Sequence, residues 1–121
     1  MKSKNILNSF KYAFDGIKTA LKTERNMKIH ITIMILVIIA GIILKISKLE
    51  WIICVILFTI VILSELFNTA VETVVDMITT QKNEKAKIAK DVSAGAVLIS
   101  AIGSAIIGLI IFLPKIYELI K

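Results

Sequence analysis

The chain is 121 residues long, 57% of its residues are hydrophobic, and its mean hydropathy is +0.87. This composition is typical of a membrane protein and predicts a single domain over residues 1–121. The net charge of +6 comes from basic residues that flank apolar runs and form no separate basic domain, which favours anionic lipid and excludes nucleic acid as the expected partner.

The first predicted element is an amphipathic helix over about residues 4–23. Apolar residues recur there at helical spacing, while lysines occupy the other faces. The apolar positions are Ile6, Leu7, Phe10, Phe14, Ile17 and Leu21. Such a helix is expected to lie in the membrane interface, and simple anchoring is the alternative to a role in a site.

Three apolar runs follow, and they are predicted to cross the membrane at about residues 29–46, 51–77 and 92–113. The middle span must include its polar C-terminal part, because the purely apolar stretch 51–63 is too short for a hydrocarbon core of about 30 Å. The short turn after the first run predicts an antiparallel hairpin. The expected fold is therefore all-α, with an N-terminal interfacial helix and three transmembrane helices.

The basic residues predict how these spans are oriented. Of the fifteen lysines and arginines, eleven precede the first span or lie in a predicted loop at 79–90, and four lie on the other side. Because basic residues accumulate on the cytoplasmic side, the N-terminus and this loop are expected in the cytoplasm, in a plasma-membrane protein. The residues before the first span are Lys2, Lys4, Lys11, Lys18, Lys22, Arg25 and Lys28.

Four polar side chains share one face of the middle run: Glu65, Asn68, Glu72 and Asp76. At about 100° per residue, steps of three, seven and eleven residues return to within about 60° of Glu65. Carboxylates beside a bilayer core are costly and normally serve a function. Since Glu65 lies deepest, a polar site is predicted near the inner boundary of the hydrocarbon.

Charged residues of neighbouring helix ends are expected at the same depth, namely Glu24 before the first span and the pair Lys90 and Asp91 before the third. Two converging carboxylates can hold Mg²⁺ with phosphate oxygens and water, a lysine can neutralise phosphate, and a third carboxylate can take a proton from a hydroxyl. The alternative is structural: Glu24 or Glu72 pairs with Lys90 and closes the bundle.

Two further features concern packing. His30 is the only histidine and no HExxH spacing exists, so it is expected to be a packed or interfacial residue and not a metal ligand. In the last run, small residues recur at every fourth position: Ala96, Ser100, Ser104 and Gly108. Such a stripe allows close helix contact, and the expected partner is another copy of the chain.

The sequence resembles the prokaryotic diacylglycerol kinase family, small three-span membrane lipid kinases that include the undecaprenol kinases. Residues 65–76 match the signature E-x-x-N-[ST]-A-[IV]-E-x-[VA]-[VI]-D, and residues 89–98 match A-K-D-x-x-[SA]-[AG]-A-V-L. Residues 12–16 and 23–30 fit the family's amphipathic helix and the start of its first span. The resemblance covers about residues 10–113.

This resemblance implies the chemistry of the site. It implies that Glu65 is the catalytic base acting on a lipid hydroxyl, and that Glu24 and Glu72 bind both the nucleotide and the Mg²⁺ that accompanies ATP. It also implies a homotrimer whose composite sites are built from neighbouring subunits at the cytoplasmic face.

The nucleotide contacts are likewise implied by the family. Tyr12, Lys90 and Asp91 would contact ATP, and Asn68 would line the site. The sequence departs from the family at 81–83, where Gln-Lys-Asn replaces the usual Glu-Tyr-His.

The leading functional prediction is phosphate transfer from ATP to a membrane lipid. The lysine- and isoleucine-rich composition and the segment 87–91 resemble the Gram-positive branch, which favours undecaprenol, and diacylglycerol is the alternative substrate. A small proton-coupled transporter with Glu65 as its carrier is the alternative from another class, although such sites usually lie near the membrane midplane. A non-catalytic assembly subunit is the third possibility.

Overall fold

The structure is a computed structural model that describes residues 5–121. Lys2 and Lys4, which entered the prediction of orientation, lie outside the described residues, as does the first residue of the predicted helix 4–23. The described part of the chain is all-helical, and its elements are α1 (Ile6–Thr23), α2 (Arg25–Ile43), α3 (Lys48–Ile78) and α4 (Glu84–Ile120). The last three are long and apolar enough to cross a membrane, which confirms the expected all-α architecture.

Helix α1 is separated from α2 by a single extended residue. Asn5 caps the start of α1 by accepting a hydrogen bond from the Asn8 backbone N–H at 2.9 Å, and Glu24 breaks the helix with φ −102° and ψ 115°. Ala20 is the one buried residue of α1, so its large apolar side chains, such as Phe10 and Phe14, are exposed in the single chain.

A tight turn joins α2 to α3. Lys45 adopts a left-handed conformation with φ 53°, and the Ile46 N–H donates to the Gly41 carbonyl at 3.1 Å, which is the Schellman pattern of a helix C-terminus. The Trp51 ring packs over Gly41 so closely that a Cβ there would lie 2.7 Å from it. Helix α2 therefore ends at Ile43, and residues 44–46 of the expected first span form the turn.

Helix α4 begins earlier than expected, at Glu84, so the predicted loop 79–90 is wrong and the connection is confined to 79–83. The Asn83 side chain accepts from the Ala86 N–H at 3.0 Å, which is a favourable N-cap. Residues 84–90 are mostly Lys, Glu and Ala, which are strong helix formers, and Glu84 suits the first turn. The polarity of residues 79–90 alone predicted a loop. Capping by Asn83 and the helix propensity of residues 84–90 instead produce a helix from Glu84 onwards.

The three long helices are packed antiparallel, with α3 and α4 as the closest pair and α2 against α3. An apolar groove of about 550 Å³ runs between α2 and α4 with α3 as its floor. We call the end of the helical bundle at which α2 turns into α3 the hairpin end. We call the opposite end, at which α1 meets α2 and α3 connects to α4, the polar end.

Candidate active site at the polar end

The polar face of α3 is buried at one end and exposed at the other. Glu65 has 0% of its surface exposed and Asn68 has 5%, whereas Glu72 is half-buried and Asp76 is exposed. Helix α3 runs unbroken through these positions, so the face follows directly from the spacing of the residues. Exposure therefore increases along this face from Glu65 towards the C-terminal end of α3.

Glu65 is the most unusual residue of this face. Neither carboxylate oxygen has a hydrogen-bond partner among residues 5–121, although both are buried. The nearest charge partner is His30, whose Nε2 lies 3.5 Å from Oε2, a contact longer than a good hydrogen bond. Because a buried carboxylate without hydrogen bonds is costly, it points to a ligand that completes the site.

Asn68 connects α3 to α4. Its Nδ2 donates to Glu72 Oε1 at 2.7 Å, and its Oδ1 accepts from the Ser93 hydroxyl at 2.6 Å. Ser93 was not singled out in the sequence, although it lies three residues after Lys90 and so on the same face of α4. The two hydrogen bonds fix the orientation of the Asn68 amide and of one Glu72 oxygen.

Lys90 and Asp91 point in different directions. Lys90 Nζ lies 2.6 Å from Asp76 Oδ1, and Asp91 pairs with Lys87 at 2.5 Å within α4. Adjacent helical residues are about 100° apart, so only one of the two can face α3. Lys90 therefore pairs between α3 and α4, as the structural alternative expected, but its partner is Asp76 and not Glu24 or Glu72. Asp91 is not brought into the buried cluster.

The two predicted residues from the N-terminal part differ in position. Glu24 is half-buried at the break between α1 and α2 and makes no capping bond to α2, and both it and Glu72 act electrostatically on Glu65. Tyr12 is 42% exposed on α1, and its side chain makes no hydrogen bond in the described structure. The single chain therefore brings Glu24 near the cluster and leaves Tyr12 outside it.

The carboxylates fit a hard cation that brings ligands of its own. Among the described residues, no group of three or more His, Cys, Asp or Glu side chains is placed so that it could hold a metal ion by itself. Mg²⁺ needs only one or two carboxylates, because phosphate oxygens and water complete its shell. Glu72 engages Asn68 through one oxygen and Glu24 makes no capping bond, so each of these carboxylates keeps an oxygen without a hydrogen-bond partner in the described chain.

The fold and the cluster define a membrane protein with a buried carboxylate site at one end of its helices. Residues 11–112 match the family model for prokaryotic diacylglycerol kinase, so the chain belongs to this family and the resemblance is confirmed. It is accordingly a lipid kinase.

Curated relatives agree with this assignment. The chain is 44% identical to the undecaprenol kinase of Bacillus subtilis over 89% of this chain and 88% of that protein. It is 40% identical to a diacylglycerol kinase of Synechocystis over 95% of this chain and 66% of that protein. A diacylglycerol kinase of Haemophilus influenzae is 34% identical over 79% and 81% of the two chains.

Proposed function

We propose that this protein transfers the γ-phosphate of ATP to the hydroxyl of undecaprenol in a Mg²⁺-dependent reaction at the polar end. The observation that carries the proposal is Glu65, a carboxylate with no exposed surface and no hydrogen-bond partner among the described residues. A base of this kind suits a hydroxyl held at the membrane boundary.

In the proposed reaction the lipid hydroxyl gives its proton to Glu65 while its oxygen forms a bond to the γ-phosphorus. The bond between the γ-phosphorus and the β,γ-bridging oxygen breaks, and ADP leaves. The buried position of Glu65 excludes water from the base, which favours transfer to the lipid over hydrolysis of ATP.

Glu24 and Glu72 would hold Mg²⁺, which supplies charge neutralisation and orientation for the transferred phosphate. Asn68 fixes Glu72 by donating to Oε1, and Ser93 in turn fixes Asn68. The Lys90 ammonium lies at the same end of α4 and would neutralise phosphate oxygens.

The outer nucleotide contacts are assigned to Tyr12 and Asp91. Both side chains are exposed, which suits contact with a water-soluble nucleotide. The excess of basic residues at the polar end supports a cytoplasmic location for it, where ATP is available. The exposed apolar residues of α1, such as Phe10 and Phe14, support placement of this helix in the membrane interface.

The choice of undecaprenol is supported by the higher identity to the relative of that name, 44% against 40%. Purified protein in detergent micelles would be given γ-labelled ATP, Mg²⁺ and either undecaprenol or diacylglycerol at equal mole fraction. We expect kcat/KM for undecaprenol to be higher by about tenfold or more. A higher kcat/KM for diacylglycerol would make diacylglycerol the proposed substrate. Absence of labelled lipid with both substrates would contradict lipid kinase activity.

We further propose that the active unit is a homotrimer with composite sites. A Cβ at Gly108 would meet no atom within 4 Å, and the Ser104 hydroxyl is buried without a hydrogen-bond partner in the described chain. These features support close contact by a neighbouring helix on this side of α4.

The composite site can be tested with inactive chains. Glu65→Gln and Glu24→Gln chains mixed during refolding should regain activity in a fraction set by the mixing ratio. The double variant mixed with itself should remain inactive. No recovery at any ratio, with mixed oligomers confirmed by differential tags, would place both residues in one subunit.

A further inference from the structure

The proposed reaction gives no task to His30, although this residue contacts the proposed base. Its Nε2 lies 3.5 Å from Glu65 Oε2, and its side chain is only 15% exposed. The contact is therefore shielded from water on both sides, and shielding strengthens an interaction between a carboxylate and an N–H donor or a cation. A contact of this kind is not explained by apolar packing alone.

Among the neighbours of Glu65, His30 differs from Glu24 and Glu72 because it carries no negative charge. Glu24 and Glu72 also act on Glu65, and both carry the same charge as the base. Asn68, one turn further along α3, already bonds Glu72 and Ser93. Of these neighbours, His30 and Asn68 can both stabilise the negative charge of Glu65, and His30 is the one that approaches from another helix.

The two carboxylate oxygens of Glu65 are not equivalent. Oε2 faces the imidazole of His30, whereas Oε1 has neither a hydrogen-bond partner nor an ion-pair partner in the described structure. The carboxylate group of a glutamate can rotate about the χ3 torsion, whose distribution of angles is broad. A neighbour on one oxygen restricts that rotation and determines where the other oxygen points.

We propose that His30 is a positioning residue for the base: its Nε2 holds Glu65 Oε2 and thereby directs Oε1 at the lipid hydroxyl. A neutral imidazole that carries its proton on Nε2 is sufficient for this role. His30 itself takes no proton from the substrate and contacts neither phosphate nor metal. The inference rests on the proposed role of Glu65 and adds a residue within α2 to a site otherwise built from α1, the break before α2, α3 and α4.

The test compares two replacements of His30 that differ in hydrogen bonding. His30→Phe keeps a planar ring and removes the donor, whereas His30→Gln keeps an N–H that can reach a carboxylate oxygen. Thr32→Val is the matched control, because Thr32 is exposed on the same helix and its hydroxyl bonds only the Lys28 carbonyl, at 2.8 Å. Variants are compared at equal amounts of folded protein, judged by circular dichroism, and His30→Leu replaces His30→Phe if the latter does not fold.

A positioning role predicts a specific kinetic pattern. In His30→Phe, kcat should fall by about tenfold or more, as for other groups that orient a functional side chain, while KM for ATP should change by less than about twofold. His30→Gln should recover most of the lost rate, and Thr32→Val should match the unchanged protein. Equal rates for His30→Phe and the unchanged protein, or equal losses in His30→Phe and His30→Gln, would overturn the proposal.

A double-mutant cycle separates this proposal from the proposed function. If His30 acts through Glu65, His30→Phe should have no further effect on the residual rate of Glu65→Gln. The same fractional loss in both backgrounds would show a structural role and overturn the inference. Near-normal turnover of Glu65→Gln by itself would instead overturn the role of Glu65 as base. Where the residual rate lies below detection, the difference between His30→Phe and His30→Gln decides.

Discussion

At the hairpin end, Ile46, Cys54 and Ile111 form a buried apolar cluster, whereas at the polar end the buried residues of α3 are Glu65 and Asn68. The carboxylate of α3 at the hairpin end, Glu50, is well paired. It accepts from the Ser47 N–H at 2.8 Å and from Lys115 at 3.1 Å. Glu65, fifteen residues further along the same helix, has no hydrogen-bond partner in the described chain.

This contrast separates a structural role from a functional one. Buried polar groups are normally hydrogen-bonded, and exceptions in native proteins point to function. The hairpin end holds α2, α3 and α4 together through apolar contacts and one ion pair between α3 and α4, and a capping box at Ser47 satisfies the start of α3. The polar end keeps two buried acceptor atoms, the carboxylate oxygens of Glu65, that have no hydrogen-bond partner in the described chain.

Among the variants of Glu24, Glu72, Ser93 and Gly41, the largest effect is expected on the Mg²⁺ dependence. Glu24→Gln and Glu72→Gln each remove a carboxylate from the polar end, and we expect each to raise the Mg²⁺ concentration for half-maximal rate by about tenfold or more. The double variant should be less than additive, because either change already disrupts the same site.

The measurement is the rate of lipid phosphorylation across a Mg²⁺ titration at saturating ATP. Glu118→Gln is the matched control, since Glu118 lies at the hairpin end with an exposed side chain, and its Mg²⁺ dependence should be unchanged. Strictly additive effects would assign Glu24 and Glu72 to separate roles.

A smaller effect is expected at Ser93, which sharpens the comparison by testing the hydrogen-bonded part of the polar end. Ser93→Ala removes the donor to Asn68 Oδ1 and should lower kcat by about three- to tenfold, in line with a lost hydrogen bond of roughly 1 kcal/mol. Ser100→Ala is the control, because the Ser100 hydroxyl bonds only the Ala96 carbonyl of its own helix, at 2.9 Å. Equal rates for both variants would remove Ser93 from the site.

The smallest effect on activity is expected from Gly41→Ala at the hairpin end. Its Cβ would lie 2.7 Å from the Trp51 ring, and overpacking of this kind typically costs about 1–3 kcal/mol of stability. Thermal unfolding in micelles should show a lower Tm, while kcat at low temperature should stay within about twofold. Gly16→Ala is the matched control, since its Cβ would meet nothing within 4 Å and alanine favours the helix. A loss of kcat with unchanged Tm in Gly41→Ala would contradict the separation of the two ends.

The sequence predicted those features that depend on spacing along one helix. The polar face of α3 and the three long apolar helices follow from periodicity and hydropathy, and the Asn68–Glu72 hydrogen bond lies on that face. The family motifs added the assignment of the chain to the lipid kinases.

Contacts between helices could not be predicted in the same way. The distance from His30 to Glu65, the hydrogen bond from Ser93 to Asn68 and the partner of Lys90 all depend on the register of one helix against another. That register is determined by the turn after Ile43 and by the early start of α4, and neither is visible in hydropathy. His30 was therefore expected to be a packed or interfacial residue.

The most direct test of the central claim makes the same chemical change at two positions of α3, one on its polar face and one at the hairpin end. Glu65→Gln and Glu50→Gln each replace a carboxylate by an amide of equal size, and transfer of label from γ-labelled ATP to undecaprenol is measured for both. Loss of a general base predicts that Glu65→Gln lowers kcat by about 10²-fold or more with little change in KM for ATP, while Glu50→Gln retains activity. Near-normal labelling of the lipid by Glu65→Gln, or equal losses in the two variants, would contradict the account.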